Sequence, residues 1–144
     1  MRKLPLLFTG LVFGLLTPAV LTAQSRPPGE IPPIIAAGMQ AYKDSGPEAA
    51  VRAWIKGSPI DGSKEALSQA NNLRQVQDFY GNYQGFEVVS REDLGSRSRI
   101  VYLVMDFDKG PLFAKFVIYR SELGWILTNF NFNTKDEIFP TPLP

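Results

Sequence analysis

Six polar side chains in the second half of this chain stand among apolar neighbours: Tyr102, Asp106, Lys115, Tyr119, Asn129 and Asn131. A carboxylate near a phenol can transfer protons, so Asp106 could act as a general base beside Tyr102 or Tyr119. Such a base needs a closed apolar pocket that raises its pKa. The same six residues can instead form a binding surface. Asp106, Lys115, Asn129 and Asn131 would supply polar specificity, and Tyr102 and Tyr119, with Phe113, the contact area. A plainer reading sets Asp106 near a solvent-exposed strand end and makes Lys115 a guard against edge association. Asn129, Asn131 and Asn133 alternate with Phe130 and Phe132. This ladder of amides could read a polar ligand, or tie the sheet edge to the neighbouring loop and the carboxy-terminal tail.

The residues that are missing narrow the chemistry further. The chain has no Cys and no His, which removes the usual zinc and copper ligand sets. It also removes every Ser-His and Cys-His nucleophile arrangement. No catalytic signature and no cofactor motif is present, so the expectation is a protein without a cofactor or metal. With no disulfide to form, stability must come from the core.

The amino terminus points to a compartment. Arg2 and Lys3 precede the uncharged run Leu4 to Leu16, and Leu21-Thr22-Ala23 supplies small residues at the exit. This is the pattern of a secretory signal peptide over residues 1–23, cut after Ala23, and it implies a secreted or periplasmic protein. A retained anchor is the alternative, because the uncharged stretch approaches the roughly 20 residues that span a bilayer. Pro5, Gly10, Gly14 and Pro18 weaken that helix. Cleavage removes two basic and no acidic residues, leaving 13 basic against 14 acidic and a net charge of -1. Nucleic acid is excluded as a partner by the lack of a basic stripe, and no polybasic membrane patch is present.

The remaining 121 residues suit one domain. Residues 24–33 form a Pro-rich leader, residues 34–139 the folded domain, and residues 140–144 a Pro-rich tail. Ile34, Ile35, Met39 and Tyr42 begin a helix that breaks at Ser45-Gly46-Pro47. Ser45 and Glu48 have the spacing of a capping box for a second helix carrying Val51, Trp54 and Ile55. Asp61 or Ser63 caps a third, where Ala66, Ala70, Leu73, Val76 and Tyr80 form one buried stripe. Asn72 and Gln75 fall on its solvated face. Phe79, Tyr80, Tyr83 and Phe86 then read as a core corner at the helix-to-strand junction, with a binding site as the alternative.

From Phe86 the period becomes strand-like, and turns at 93–96, 109–111 and 122–124 divide four strands in a meander, about 86–92, 97–107, 112–121 and 125–133. The second turn places Phe107 opposite Leu112. One face then gathers Val101, Leu103, Met105 and Phe107 with Leu112, Ala114, Phe116 and Ile118. It is wholly apolar, and burial at roughly 1.5–3 kcal/mol per large side chain requires that helices cover it. The other face holds the candidate residues. A three-residue loop at 122–124, with Gly124 left-handed, sends Ile126, Thr128, Phe130 and Phe132 to the apolar face and Leu127, Asn129 and Asn131 to the mixed one. A two-residue loop would invert that assignment. The fold class is α+β, with amino-terminal helices packed on a curved four-stranded antiparallel meander.

Helices followed by a long twisted meander, with Gly124-Trp125-Ile126-Leu127-Thr128 opening the last strand, resemble the ketosteroid-isomerase-like superfamily of the nuclear transport factor type, also called cystatin-like. The likeness covers residues 34–133 and implies a curved sheet around a conical pocket, frequent dimerisation through the sheet, and either isomerase-like or non-enzymatic roles. Isomerase chemistry of that kind uses a carboxylate base with a phenol and a protonated carboxylic acid. Asp106, Tyr102 and Tyr119 are the right residue types, although they fall on the face away from the helices. The dehydratase version uses His, which is absent here. The leading expectation is a secreted or periplasmic non-enzymatic module that binds a small ligand or protein partner, as a homodimer through the mixed face. The alternative is an isomerase-like enzyme built on Asp106.

Overall fold

Proline and glycine set the boundaries of the helical layer. In the computed structural model, which describes residues 30–140, α1 spans Pro33–Ser45, α2 Pro47–Ile55 and α3 Lys64–Tyr80. Residues 1–29 and 141–144, and with them the expected signal peptide, most of the expected leader and the end of the tail, lie outside the described residues. Both α1 and α2 carry proline in their first turn, where its fixed φ suits the helix and its missing N–H costs nothing. The capping box at Ser45 does not form. Gly46, at φ 85°, is the residue between the two helices, and no side chain caps α2. Glu48 instead pairs with Arg74 on α3. Ser63 caps α3 by accepting a hydrogen bond from the Ala66 N–H at 3.1 Å.

The two short helices are pinned together by one aromatic residue. Trp54 of α2 is fully buried and donates its indole N–H to the Ile35 carbonyl of α1 at 3.2 Å. Gly38 of α1 faces that indole directly, with no room for a β-carbon. The ring meets Phe116 edge-on at 5.0 Å between centroids and lies 5.9 Å from Phe132. Tyr42 extends the layer by donating to Gln77 of α3 at 3.1 Å.

Four strands follow: β1 Tyr83–Leu94, β2 Ser98–Phe107, β3 Gly110–Ser121 and β4 Gly124–Asn133, antiparallel in the order β1-β2-β3-β4. The apolar face is as the alternation predicts. Val101, Leu103, Met105, Phe107, Leu112, Ala114, Phe116 and Ile118 are all buried and share one core with the helices. The β2–β3 pairing is two residues tighter than expected: Phe107 faces Gly110 and Leu112 faces Met105. A slip of two keeps every side chain on its face, so the error in register left the core assignment intact.

The last hairpin resolves differently from either simple loop. Ser121 pairs with Gly124 and Tyr119 with Ile126, the two-residue register, but Phe116 pairs with Phe130, the three-residue one. The change falls at a bulge around Thr128, whose hydroxyl donates to the Val117 carbonyl at 3.1 Å. Leu127 is therefore in the core and Ile126 opposite Tyr119 on the outer face, the reverse of the expectation. Phe130, Phe132, Asn129 and Asn131 lie where expected. No helix among the described residues is long and apolar enough to cross a membrane.

Candidate functional site: a groove beside the third helix

The third helix covers its end of the sheet incompletely. Ala66, Ala70 and Leu73 are buried, whereas Val76 and Tyr80, one and two turns further along the same stripe, are only half-buried. They line a groove of about 470 Å³ between the carboxy-terminal half of α3 and the ends of β3 and β4. Leu112 and Phe132 form its apolar floor, and Phe79, 77% exposed, stands at its lip. Around the rim are three carboxamides, Asn72, Gln75 and Asn133, and the Thr134 hydroxyl. The Asn133 Oδ1 accepts the Lys135 N–H at 2.9 Å, which leaves its amide NH₂ as a donor.

A polar staple holds the helix end that forms the groove. Gly81 ends α3 at φ 86°, and its N–H donates to the Gln77 carbonyl at 2.9 Å. Asp108, in the turn between β2 and β3, accepts from the Asn82 N–H at 2.8 Å, from the Asn82 side chain at 3.1 Å and from the Gln84 side chain. The Lys109 N–H donates to the Tyr80 carbonyl at 2.9 Å. Hydrogen bonding, led by the Asn82 backbone N–H, holds the Asp108 carboxyl below the usual carboxylate range. A β-carbon at residue 81 would sit 2.6 Å from the Asp108 carboxylate. Glycine is thus required there twice, for its dihedral and for room.

The groove can bind but has little with which to catalyse. None of its lining residues is charged, and Tyr80 is the single ionisable group among them. An apolar floor with a rim of neutral donors and acceptors fits an uncharged ligand with a substantial apolar part. No cluster of potential metal ligands occurs among the described residues.

The six sequence candidates are all on the opposite, outer face, and only some of them meet. Tyr102 faces Lys115 across β2–β3, and Lys115 faces Asn131 across β3–β4, so these three form one row. The Lys115 ammonium lies 5.8 Å from the Tyr102 ring centroid. Asn129, opposite Val117, is exposed two positions along from Asn131. The row is partly roofed by the chain itself. After a 3-10 turn at Asp136–Ile138, Phe139 packs edge-on against Tyr102 at 5.8 Å and Phe113 at 5.3 Å. Tyr102 is left 5% exposed, and burial, with Glu92 adding, raises its phenol pKa.

Asp106 and Tyr119 stand apart from that row. Asp106 is exposed at the end of β2 opposite Pro111, four residues from Tyr102. At roughly 3.3 Å per residue that is about 13 Å, far beyond proton-transfer reach. Tyr119 faces Ser98, eight residues from Asp106 along β2, and carries the Arg97 guanidinium 4.9 Å from its ring. The closed carboxylate pocket that the isomerase reading needs is not built around Asp106.

The groove residues carry no distinctive pattern in the sequence, for a physical reason. Asn72 and Gln75 look like solvated helix surface, and Val76 and Tyr80 look like core. Phe79 carries the one available signal, a large aromatic residue adjacent to the buried stripe but off it. The sequence groups it with Tyr80, Tyr83 and Phe86 at a core corner; those three are half-buried against the core, and Phe79 is not.

The sequence matches no family model and no curated protein. Among solved structures it is similar to a DUF4783 family protein from Bacteroides uniformis, with a TM-score of 0.47 and 8% identity, over 72% of this chain and 95% of that one. It is also similar to a domain of unknown function with a cystatin-like fold from Nostoc punctiforme, with a TM-score of 0.43 and 15% identity, over 73% of this chain and 72% of that one.

Proposed function

We propose that this protein is a non-enzymatic binding module, exported through its signal peptide and built on a cystatin-like scaffold of the ketosteroid-isomerase-like kind, that holds an uncharged, partly apolar ligand beside α3. The observation that carries the reading is the groove of about 470 Å³, with Leu112 and Phe132 as floor, a carboxamide rim and no charged lining residue. Its volume is within the range of roughly 300–1,000 Å³ typical of small-molecule sites. The absence of an acid–base pair in the groove supports binding over catalysis.

The neutral fluorophore N-phenyl-1-naphthylamine tests this. Its emission should rise saturably with the wild-type protein, and Phe79→Ser should weaken binding several-fold. Phe79 is mostly exposed, so that variant folds. Val76→Asp, which places a charge against the floor, should abolish the signal. Equal binding by all three proteins, or no saturable signal, overturns the reading.

A homodimer through the outer face is a second part of the proposal. Phe113, Val117, Tyr119 and Ile126 are half-exposed there, and apart from Phe139 against Phe113 nothing covers them, α1, α2 and α3 included. Lys115, Asn129 and Asn131, with Asp106 towards the strand end, would give that contact its polar register, while Tyr102 is roofed by Phe139 and stays out of it. Sedimentation as a monomer at micromolar concentration defeats it.

A further inference from the structure

The groove beside α3 is polar along its two sides and apolar beneath. One side is α3 itself, where the exposed Asn72 and Gln75 are three residues apart, which sets their β-carbons about 5–6 Å from one another. The other side is the end of β4, with Asn133 and the exposed Thr134. The floor of Leu112 and Phe132 lies between them, beside the half-buried Val76 and Tyr80.

An extended polypeptide has the same layout. Its N–H and C=O groups leave the backbone sideways, in the plane where a neighbouring strand would bond, while its side chains point alternately to either face. Groups on one side repeat every two residues, about 6.6 Å, a step that the flexible Asn72 and Gln75 side chains can follow. Each residue brings one donor and one acceptor, and a carboxamide can answer both. The Asn133 Oδ1 is engaged by the Lys135 N–H at 2.9 Å, which leaves its NH₂ to donate to a backbone carbonyl. A lipid chain would make no use of these four polar side chains. A sugar ring would carry hydroxyls down onto Leu112 and Phe132, where they lose their hydration and find no partner. No charged residue lines the groove, so nothing in it answers a charged side chain or a free chain end.

We propose that the groove takes an uncharged, extended segment of polypeptide. One large apolar side chain of that segment rests on the floor of Leu112 and Phe132. Its backbone is hydrogen-bonded by Asn72 and Gln75 on one side and by Asn133 and Thr134 on the other. Main-chain bonds then supply affinity and the apolar floor supplies selectivity. The inference rests on the groove being the binding site and names the class of ligand held there.

The test is displacement of N-phenyl-1-naphthylamine by the blocked peptide acetyl-alanyl-leucyl-alanine amide. The peptide should displace the dye saturably, and the analogue with serine in place of leucine should not. Methylating the leucine nitrogen and the one that follows removes two backbone donors and should weaken the peptide about tenfold. In the double variant Asn72→Leu with Gln75→Leu, altered only at exposed positions of α3, the same methylation should cost about threefold at most, because the acceptors of those donors are gone. The inference is overturned, with the groove reading intact, if the dye binds and the peptide does not displace it. It is equally overturned if methylation costs as much in the double variant as in wild type, or if methyl β-glucoside displaces the dye where the peptide does not. Failure of the dye itself to bind removes the groove reading, and this inference with it.

Discussion

Replacing Gly38 with alanine should damage this fold far more than one methyl group suggests. A β-carbon at that position overlaps three atoms of the Trp54 indole, Nε1, Cδ1 and Cε2. The indole cannot retreat, because Phe116 and Phe130, both buried, and Phe132 close in behind it. The helices must separate instead, which strains a tightly packed layer by about 3 kcal/mol, the upper part of the usual overpacking range. Separation also breaks the buried bond from Trp54 to the Ile35 carbonyl, and an unsatisfied buried pair costs about 2 kcal/mol more. Alanine's better helix propensity returns about 1 kcal/mol. The net loss is about 4 kcal/mol, a large share of the roughly 5–15 kcal/mol that stabilises an ordinary domain. Urea unfolding measures it directly, and the melting temperature should fall by about 15 °C. Trp54→Phe in the Gly38→Ala background supplies the control. The smaller ring should relieve the overlap, so the double variant should be at least about 1 kcal/mol more stable than the sum of the single losses implies. A neutral or stabilising Gly38→Ala, or strict additivity with Trp54→Phe, would refute the interlock of α1 and α2.

Two further outcomes follow from the polar devices around the sheet. Asp108 has its folded-state pKa depressed by the hydrogen bonds it accepts, so its contribution is present above the ordinary carboxylate value of about 3.9 and is lost as pH falls through the lower folded value. Acid unfolding of Asp108→Asn should accordingly show a weaker pH dependence below about pH 4 than wild type, and identical acid profiles would contradict the staple. Thr128→Val removes the hydroxyl that anchors the β4 bulge and should cost about 1 kcal/mol in urea unfolding; a variant as stable as wild type would show that the bulge does not depend on that bond.

Much of the architecture was legible because it follows from local physics. Proline and glycine punctuate α1, α2 and α3, Ser63 supplies a cap, and the alternation from Val101 to Ile118 assigns a face to each residue whether or not the register is right by two. The β4 bulge was not legible, since glycine at residue 124 advertised a place for the irregularity and the structure puts it four residues later, at Thr128. No local rule distinguishes the two, because what decides is whether Leu127 or Ile126 reaches the space beside Ile118. The candidate residues of the outer face were correctly placed on one face, yet their separation along the strands could not be judged until the pairing was known. Asp106, Tyr102 and Tyr119 are chemically compatible but are spread along a sheet rather than gathered in a pocket.

By itself the sequence determined the class of chemistry that is out of reach, the element order, and which side of the sheet must be covered, since composition and periodicity act residue by residue. The tertiary structure alone decided where that cover falls short. Val76 and Tyr80 belong to the same helical stripe as Ala66 and Leu73, but α3 seals the sheet along its first half and not its second. Likewise Arg91 and Arg99 follow in register from buried Leu103 and Val101, at the far end from the groove. A groove and a charged end arise from how far rigid helices of given length reach across a sheet, a property of packed bodies that no local pattern contains.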